Sequence, residues 1–141
     1  LSTIKYAIES LKDNFNLFLI YNNNKRIKNY LDKLNCKNVI FFNFYEKIWE
    51  LFFLSSIIIT KPGGLTVFEG IFLKKPFIFM NFIKGQEKEN MDFLIEKNVA
   101  KFINNKFELI EAINYFNNLK EDLKQNYPLQ LKDIRLILNI F

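Results

Sequence analysis

The sequence predicts an α/β fold in which helices cover both faces of a parallel β-sheet. Short apolar runs alternate along the chain with longer segments whose apolar residues recur at helical spacing. The isoleucines at 57–59 suit a strand that is buried on both of its faces. Because only short connections separate these segments, we expect the strands to pair in parallel through right-handed crossovers.

The first part of the chain predicts three helices and three strands. One face of the first helix carries Ile4, Ala7, Ile8 and Leu11. A turn at 22–24 then supplies a capping residue for the second helix, whose inward residues are Ile27, Tyr30, Leu31 and Leu34. The predicted elements are, in order, helix 1–12, strand 16–21, helix 25–34, strand 38–42, helix 46–54 and strand 56–60.

The second part continues the same alternation after a turn at Lys61-Pro62-Gly63-Gly64. The last regular helix is expected to turn Phe107, Ile110, Ile113 and Phe116 inward. The predicted elements are helix 65–73, strand 76–80, helix 86–97, strand 99–103 and helix 106–119, followed by further helical pieces around Pro128. The whole pattern describes one Rossmann-like domain over residues 1–141.

Composition excludes several classes of function. The net charge of +5 comes almost entirely from Lys, and no segment interleaves Arg with aromatic residues, so nucleic-acid binding is not expected. The chain has no His, which excludes a Ser-His-Asp or Cys-His system within it. Cys36 is the only cysteine, so neither a disulfide nor a metal cluster is predicted. Apolar runs are too short for a transmembrane helix, and the start at Leu1 suggests an upstream portion.

Residues 59–69 are the first candidate binding segment, since they read as a strand, a glycine turn and the start of a helix. Gly63 and Gly64 allow a ligand to approach the backbone, and the helix behind them directs free N–H groups at an anion. Thr66 could add a hydroxyl to a phosphate, and Glu69 could accept hydrogen bonds from two sugar hydroxyls. The alternative is an ordinary strand end followed by a Thr-x-x-Glu capping box.

Residues 84–90 form the second candidate segment, Lys-Gly-Gln-Glu-Lys-Glu-Asn. Gln86, Glu87 and Asn90 offer the amide and carboxylate groups that bind sugar hydroxyls. A charged helix start explains the same residues without a ligand. In an open parallel sheet both segments would lie beyond the carboxyl ends of the strands, where ligands bind.

The two segments together, with Pro76 between them, resemble one family of enzymes. These are the bacterial processive diacylglycerol glucosyltransferases and the plant-type monogalactosyldiacylglycerol synthases; the N-acetylglucosaminyl transferase that makes lipid II is a wider relative. The similarity extends over the chain in element order and is residue-specific between about Phe41 and Ala100. It implies a GT-B glycosyltransferase whose C-terminal half is this chain and whose N-terminal half binds the lipid acceptor.

The resemblance also implies a role for each candidate residue. The diphosphate of a UDP-sugar, UDP-glucose or UDP-galactose, would contact Gly63, Gly64, Leu65 and Thr66. Glu69 would hold the ribose hydroxyls. The hydroxyls of the transferred sugar would contact Gln86 and Glu87, with Asn90 supporting that loop. Tyr45 lies where such enzymes hold uracil through backbone groups.

By the same similarity, the enzyme inverts the anomeric carbon and needs neither a metal nor a cofactor. Its catalytic base would lie in the N-terminal half, so the chain is not expected to be active alone. Its expected partners are the UDP-sugar, diacylglycerol through the N-terminal domain, and an anionic membrane surface. Its expected location is the cytoplasm, peripheral at the inner face of the cell membrane. Alternatives are a lipid II-type transferase domain, a non-catalytic nucleotide-sugar-binding subunit of a split transferase, and a structural domain without a ligand.

The sequence departs from the family in two respects. Relatives begin this half with a strand and a glycine-rich loop that contacts the phosphates, and Leu1 starts after them. Asn43, Lys74 and Asn98 stand where relatives usually have Gly. Asn tolerates a positive φ well, whereas Lys at a helix end does so poorly, so the helix before Lys74 is expected to end differently or carry strain.

Overall fold

A computed structural model describes residues 2–80, 85–105, 107–119 and 135–139. The helices in these ranges are α1 (Ser2–Leu11), α2 (Lys25–Leu31), α3 (Ile48–Leu54), α4 (Gly64–Phe72), α5 (Gln86–Glu96) and α6 (Glu108–Asn118). The strands are β1 (Asn16–Ile20), β2 (Val39–Phe42), β3 (Ile57–Thr60), β4 (Phe77–Phe79), β5 (Ala100–Phe102) and β6 (Arg135–Asn139). They form one sheet in the order β2-β1-β6-β3-β4-β5.

Every strand pair in this sheet is parallel, which confirms the predicted α/β class. The isoleucines of β3 alternate between the two faces of the sheet. Ile57 and Ile59 belong to an apolar cluster with α1, α2 and α6, whereas Ile58 belongs to a second cluster with α3, α4 and α5. Helices therefore cover both faces, as the sequence indicates. None of the helices in the described ranges is long and apolar enough to cross a membrane.

Most predicted elements are present with boundaries moved by one to three residues. The second helix ends at Leu31 rather than at residue 34. Its predicted cap is confirmed, because the Asn24 side chain accepts a hydrogen bond from the Ile27 N–H at 3.1 Å. The inward position predicted for Phe107 is wrong, since this side chain is 69% exposed. It precedes α6, whose buried face instead contains Leu109, Ala112, Ile113 and Phe116.

The C-terminal strand β6 was not predicted. The sequence suggests only helical pieces in the tail, and the piece around Pro128 lies outside the described residues. β6 occupies the middle of the sheet, where all five of its residues pair with β1 and three pair with β3. A strand of this length gives a weak local signal, and pairing to strands distant in sequence determines its conformation.

Two helices end in left-handed residues that are not glycine. Lys74 has a φ of 55° and Asn98 a φ of 56°. After α4, the Lys74 N–H donates to Ile71 and the Lys75 N–H donates to Gly70, both at 2.9 Å. These two bonds form a Schellman motif, which ordinarily carries glycine at the left-handed position. The strain expected at Lys74 therefore has a clear cause. The backbone keeps the left-handed geometry that glycine prefers, although the residue is a lysine.

Candidate functional site

The two candidate segments lie side by side at the carboxyl edge of the sheet. The Asn90 amide of α5 donates a hydrogen bond to the backbone carbonyl of Pro62 at 3.1 Å. One residue earlier in the glycine turn, the Lys61 ammonium lies 3.2 Å from the Glu87 carboxylate. These two contacts join the start of α4 to the start of α5. The structure therefore brings together segments that are more than twenty residues apart in the sequence.

The glycine turn leaves open space at the start of α4. Gly63 occupies the N-cap position, and no side-chain hydrogen bond caps the start of α4. A Cβ atom at Gly63 would meet nothing within 4 Å, and one at Gly64 would meet only the Asn90 amide nitrogen at 3.9 Å. Packing among the described residues therefore does not require either glycine. An open helix N-terminus with small residues suits an anionic group that approaches the backbone.

Thr66 occupies the third position of α4 and is half-buried. A Thr-x-x-Glu capping box would place Thr66 at the N-cap, but Gly63 holds that position. The capping-box alternative is therefore wrong. Leu65, the second helical residue, is 75% exposed.

Glu69 lies one turn further along α4, in a largely apolar groove between α3 and α4. The groove has a volume of about 300 Å³ and is lined by Trp49, Phe68, Glu69, Phe72 and Leu73. Burial raises the pKa of the Glu69 carboxyl above its ordinary value. A half-buried carboxylate in apolar surroundings gains strongly from hydroxyl donors. Glu69 thus lines a groove whose other lining residues are all aromatic or aliphatic.

Sequence reasoning did not single out Trp49, which lines the same groove. It is 51% exposed, as is expected of an aromatic residue that faces a groove rather than the core. The sequence predicts a helix that contains Trp49, which lies in the first turn of α3. Its proximity to Glu69, however, depends on how α3 packs against α4. Only the tertiary structure supplies that information.

Tyr45 precedes α3 and is fixed by two contacts. Its ring packs edge-on against Phe42, with 4.9 Å between ring centroids. Its hydroxyl donates a hydrogen bond to the Glu50 carboxylate at 2.8 Å, and this bond raises the pKa of the Tyr45 hydroxyl. The side chain therefore supports the loop between β2 and α3.

The start of α5 carries the remaining candidate residues. Gly85 has a φ of 102°, a conformation that L side chains rarely adopt, so this position requires glycine. Gln86 is exposed, whereas the side chain of Glu87 is 17% exposed beside Lys61. The structure therefore places the Gln86 amide and the Glu87 carboxylate directly beyond the glycine turn, and the ion pair with Lys61 fixes that carboxylate. The Lys61 contact was not predicted.

Comparisons with known proteins identify the family of the chain. The family model "Glycosyltransferase family 28 C-terminal domain" matches residues 4–129. A processive diacylglycerol β-glucosyltransferase of Bacillus subtilis is 29% identical over 96% of this chain and 37% of the relative. Its namesake in Bacillus licheniformis is 28% identical over 88% of this chain and 36% of the relative. One from Bacillus cereus strain B4264 is 35% identical over 73% of this chain and 25% of the relative.

The chain thus spans little more than a third of the length of the first two relatives. No solved structure matches it.

Proposed function

Because this chain belongs to the family of glycosyltransferase family 28 C-terminal domains, we propose that it binds the UDP-sugar donor of a diacylglycerol hexosyltransferase. Glucose is the favoured hexose, because the relatives are named as diacylglycerol β-glucosyltransferases. Their names favour this assignment over a lipid II-type transferase. The acceptor site and the catalytic base belong, in this proposal, to a second domain.

One observation carries the proposal: the glycine turn and the start of α5 meet at the carboxyl edge of the sheet. The Asn90 to Pro62 hydrogen bond and the Lys61 to Glu87 ion pair hold them together. In an open α/β sheet this edge is where nucleotides bind. A diphosphate over the start of α4 would place an attached sugar near Gln86 and Glu87.

The start of α4 supports a role in leaving-group stabilisation. When the acceptor hydroxyl attacks the anomeric carbon, the bond from that carbon to the phosphate oxygen breaks and UDP takes the electron pair. The N–H groups of Gly64, Leu65 and Thr66 carry the partial positive charge of the helix start. Donors fixed before the reaction stabilise the developing charge without reorganisation.

Glu69 is the proposed ribose ligand. Its carboxylate can accept hydrogen bonds from both neighbouring ribose hydroxyls. The burial that raises its pKa also strengthens such bonds, because hydrogen bonds are stronger where the local dielectric is low. Trp49 borders the same groove and would shield the nucleoside from solvent.

The enzyme is further proposed to act at the inner face of the cell membrane as a peripheral protein. A lipid acceptor places the reaction at a bilayer, and anionic headgroups attract basic proteins. The net charge of +5 favours this attraction.

Calorimetric titration of the chain with UDP and UDP-glucose tests the proposal. We expect dissociation constants of roughly 1 μM to 1 mM, the usual range for enzyme substrates. Glu69→Gln should weaken both by about tenfold or more, because a hydrogen bond to a charged group contributes roughly 1.5–3 kcal/mol. The control is Glu111→Gln, an exposed residue of α6 on the opposite face of the sheet. Unchanged affinity in Glu69→Gln would refute the ribose assignment, and no binding by folded wild type would refute donor binding by this half.

A further inference from the structure

Two loops at the carboxyl edge of the sheet are joined by the side chains of Asn23 and Asn43. The backbone N–H of Asn23 donates to the side-chain oxygen of Asn43 at 2.7 Å, and the Asn43 amide donates to the side-chain oxygen of Asn23 at 2.8 Å. The Asn22 N–H also donates to the Asn43 carbonyl at 2.7 Å. The loop after β1 is therefore fastened to the loop of residues 43–47, which connects β2 to α3.

The loop after β1 has a backbone conformation that few residue types adopt. Asn22 and Asn23 both have a positive φ, at 43° and 61°, and the Asn24 N–H closes the turn by donating to the Tyr21 carbonyl at 2.9 Å. Consecutive left-handed residues are unfavourable unless they are glycine, although Asn tolerates this region better than most residues. Such strain persists only where surrounding contacts hold it, and it is concentrated at functional sites. Here the contacts with Asn43 hold the turn against the loop after β2.

The β2–α3 loop has a second anchor in Tyr45. The Tyr45 hydroxyl donates to Glu50 of α3 at 2.8 Å, and its ring packs against Phe42 at the end of β2. Asn43 thus ties the loop to the turn after β1, whereas Tyr45 ties it to α3. Anchors at two points keep the backbone N–H and C=O groups of this loop in fixed positions.

The proposed donor would bring its base to the β2–α3 loop. In the proposed function, the diphosphate lies at the start of α4 and the ribose at Glu69, in the groove between α3 and α4. Trp49, in the first turn of α3, lines the same groove. A nucleotide that runs from the start of α4 toward α3 therefore places its base at the residues that lead into α3, which are 43–47.

We propose that Asn23 and Asn43 are positioning residues for the nucleobase, because their paired amides hold the β2–α3 loop in the conformation that recognises uracil. This role rests on the proposed function, donor binding by this chain. The edge of uracil offers one N–H donor between two carbonyl acceptors, and backbone groups match that pattern only while they are held in place. A loop that is ordered before binding loses less conformational entropy when the ligand binds, which increases affinity. Glycine, which the family resemblance leads one to expect at position 43, has no side chain with which to form the pair.

The preference for UDP over CDP tests this role, because the two nucleotides differ only at the edge of the base. Cytosine has an amino donor and a ring-nitrogen acceptor where uracil has a carbonyl acceptor and an N–H donor. Calorimetric titration gives the ratio of the two dissociation constants, in which effects on diphosphate and ribose binding cancel. We expect the wild type to prefer UDP by about tenfold or more, since cytosine leaves polar groups of the loop without partners.

Three variants separate the contributions of the pair. Asn43→Ala removes both side-chain bonds at a residue without a positive φ, and it should lower the preference about threefold to tenfold. Asn23→Gly permits the positive φ and removes the oxygen that accepts from Asn43, so it should also lower the preference. Asn23→Asp keeps an acceptor for the Asn43 amide and should retain it. The control is Asn114→Ala, an exposed asparagine of α6.

Two readouts distinguish positioning from a general loss of stability. The melting temperature should change little in Asn43→Ala, because the bonds that it removes are exposed to solvent. The backbone order parameters of residues 43–47, measured without ligand, should be about 0.85 in the wild type and lower in Asn43→Ala.

The outcomes separate this role from donor binding itself. An unchanged preference or an unchanged loop order in Asn43→Ala would overturn the positioning role alone, as would a wild type that binds UDP and CDP equally. A folded wild type that binds neither nucleotide would overturn the proposed function, and the base assignment with it.

Discussion

At the scale of single residues, the Lys61 to Glu87 ion pair connects the two halves of the candidate site. The side chains are only 27% and 17% exposed, so solvent screens their attraction less than at an open surface. Lys61 fixes the orientation of the Glu87 carboxylate, which is the proposed ligand of the transferred sugar. Both residues lie beside the glycine turn, and the pair would order Glu87 before the donor binds.

Replacing Lys61 should reduce the preference for the sugar. Lys61→Met should weaken UDP-glucose binding more than UDP binding, because Glu87 loses its fixed position, whereas Lys61→Arg should keep the preference. Titration with both ligands gives the ratio of their dissociation constants, which cancels any general effect of the lost charge on the diphosphate. An unchanged ratio in Lys61→Met would show that the ion pair has no part in sugar recognition.

Lys75 gives a second prediction at this scale. Its buried ammonium donates to the backbone carbonyls of Phe53 at 2.8 Å and Ser55 at 2.7 Å, at the end of α3. Burial lowers its pKa from 10.5 to about 8. Between these pH values the unfolded chain binds more protons at this lysine than the folded chain does, so the contribution of Lys75 to stability rises with pH.

Urea unfolding between pH 7 and pH 10.5 measures this contribution as the difference between wild type and Lys75→Met. The difference should move in favour of the wild type from pH 8 upward and stay flat below it, since a neutral amine still has two N–H groups for the two carbonyls. A difference that is independent of pH would contradict the depressed pKa.

At the scale of elements, the contact of α4 with the sheet depends on Gly70. A Cβ atom there would overlap the ring of Phe77 and approach the Ile58 Cδ1 to 3.0 Å. Helix propensity alone would favour Ala over Gly by about 1 kcal/mol. Overpacking typically costs about 1–3 kcal/mol, and the overlap is with a buried ring.

We therefore expect Gly70→Ala to destabilise the protein by about 1–2 kcal/mol, measured by urea unfolding. Gly64→Ala is the matched control in the same helix, because a Cβ there meets only the Asn90 amide at 3.9 Å. It should be neutral or slightly stabilising. If Gly70→Ala proves as stable as Gly64→Ala, the close packing of α4 on β4 is wrong.

At the scale of the whole molecule, local patterns account for most of the fold. Buried apolar runs identify the first five strands, and helical spacing identifies the helices between them. Local patterns do not predict β6, because its neighbours β1 and β3 are far away in sequence. The exposure of Phe107 could not be predicted in this way either. An apolar residue just before a helix fits the helical spacing without lying on the buried face of that helix.

The candidate site, too, is predicted in part by local motifs and depends in part on tertiary packing. The glycine turn and the polar start of α5 are recognisable as local motifs, and the positive φ of Gly85 supports the second of them. Their convergence through Lys61 and Asn90 is not local, because it depends on how α4 and α5 stand on neighbouring strands.

Backbone amide NMR during titration with UDP-glucose locates the donor site residue by residue. We expect the largest shifts at Gly63, Gly64, Leu65, Thr66 and the start of α5, and hardly any response from α6 on the opposite face. Shifts that cluster elsewhere, or no shifts at saturating UDP-glucose in a folded protein, would contradict it.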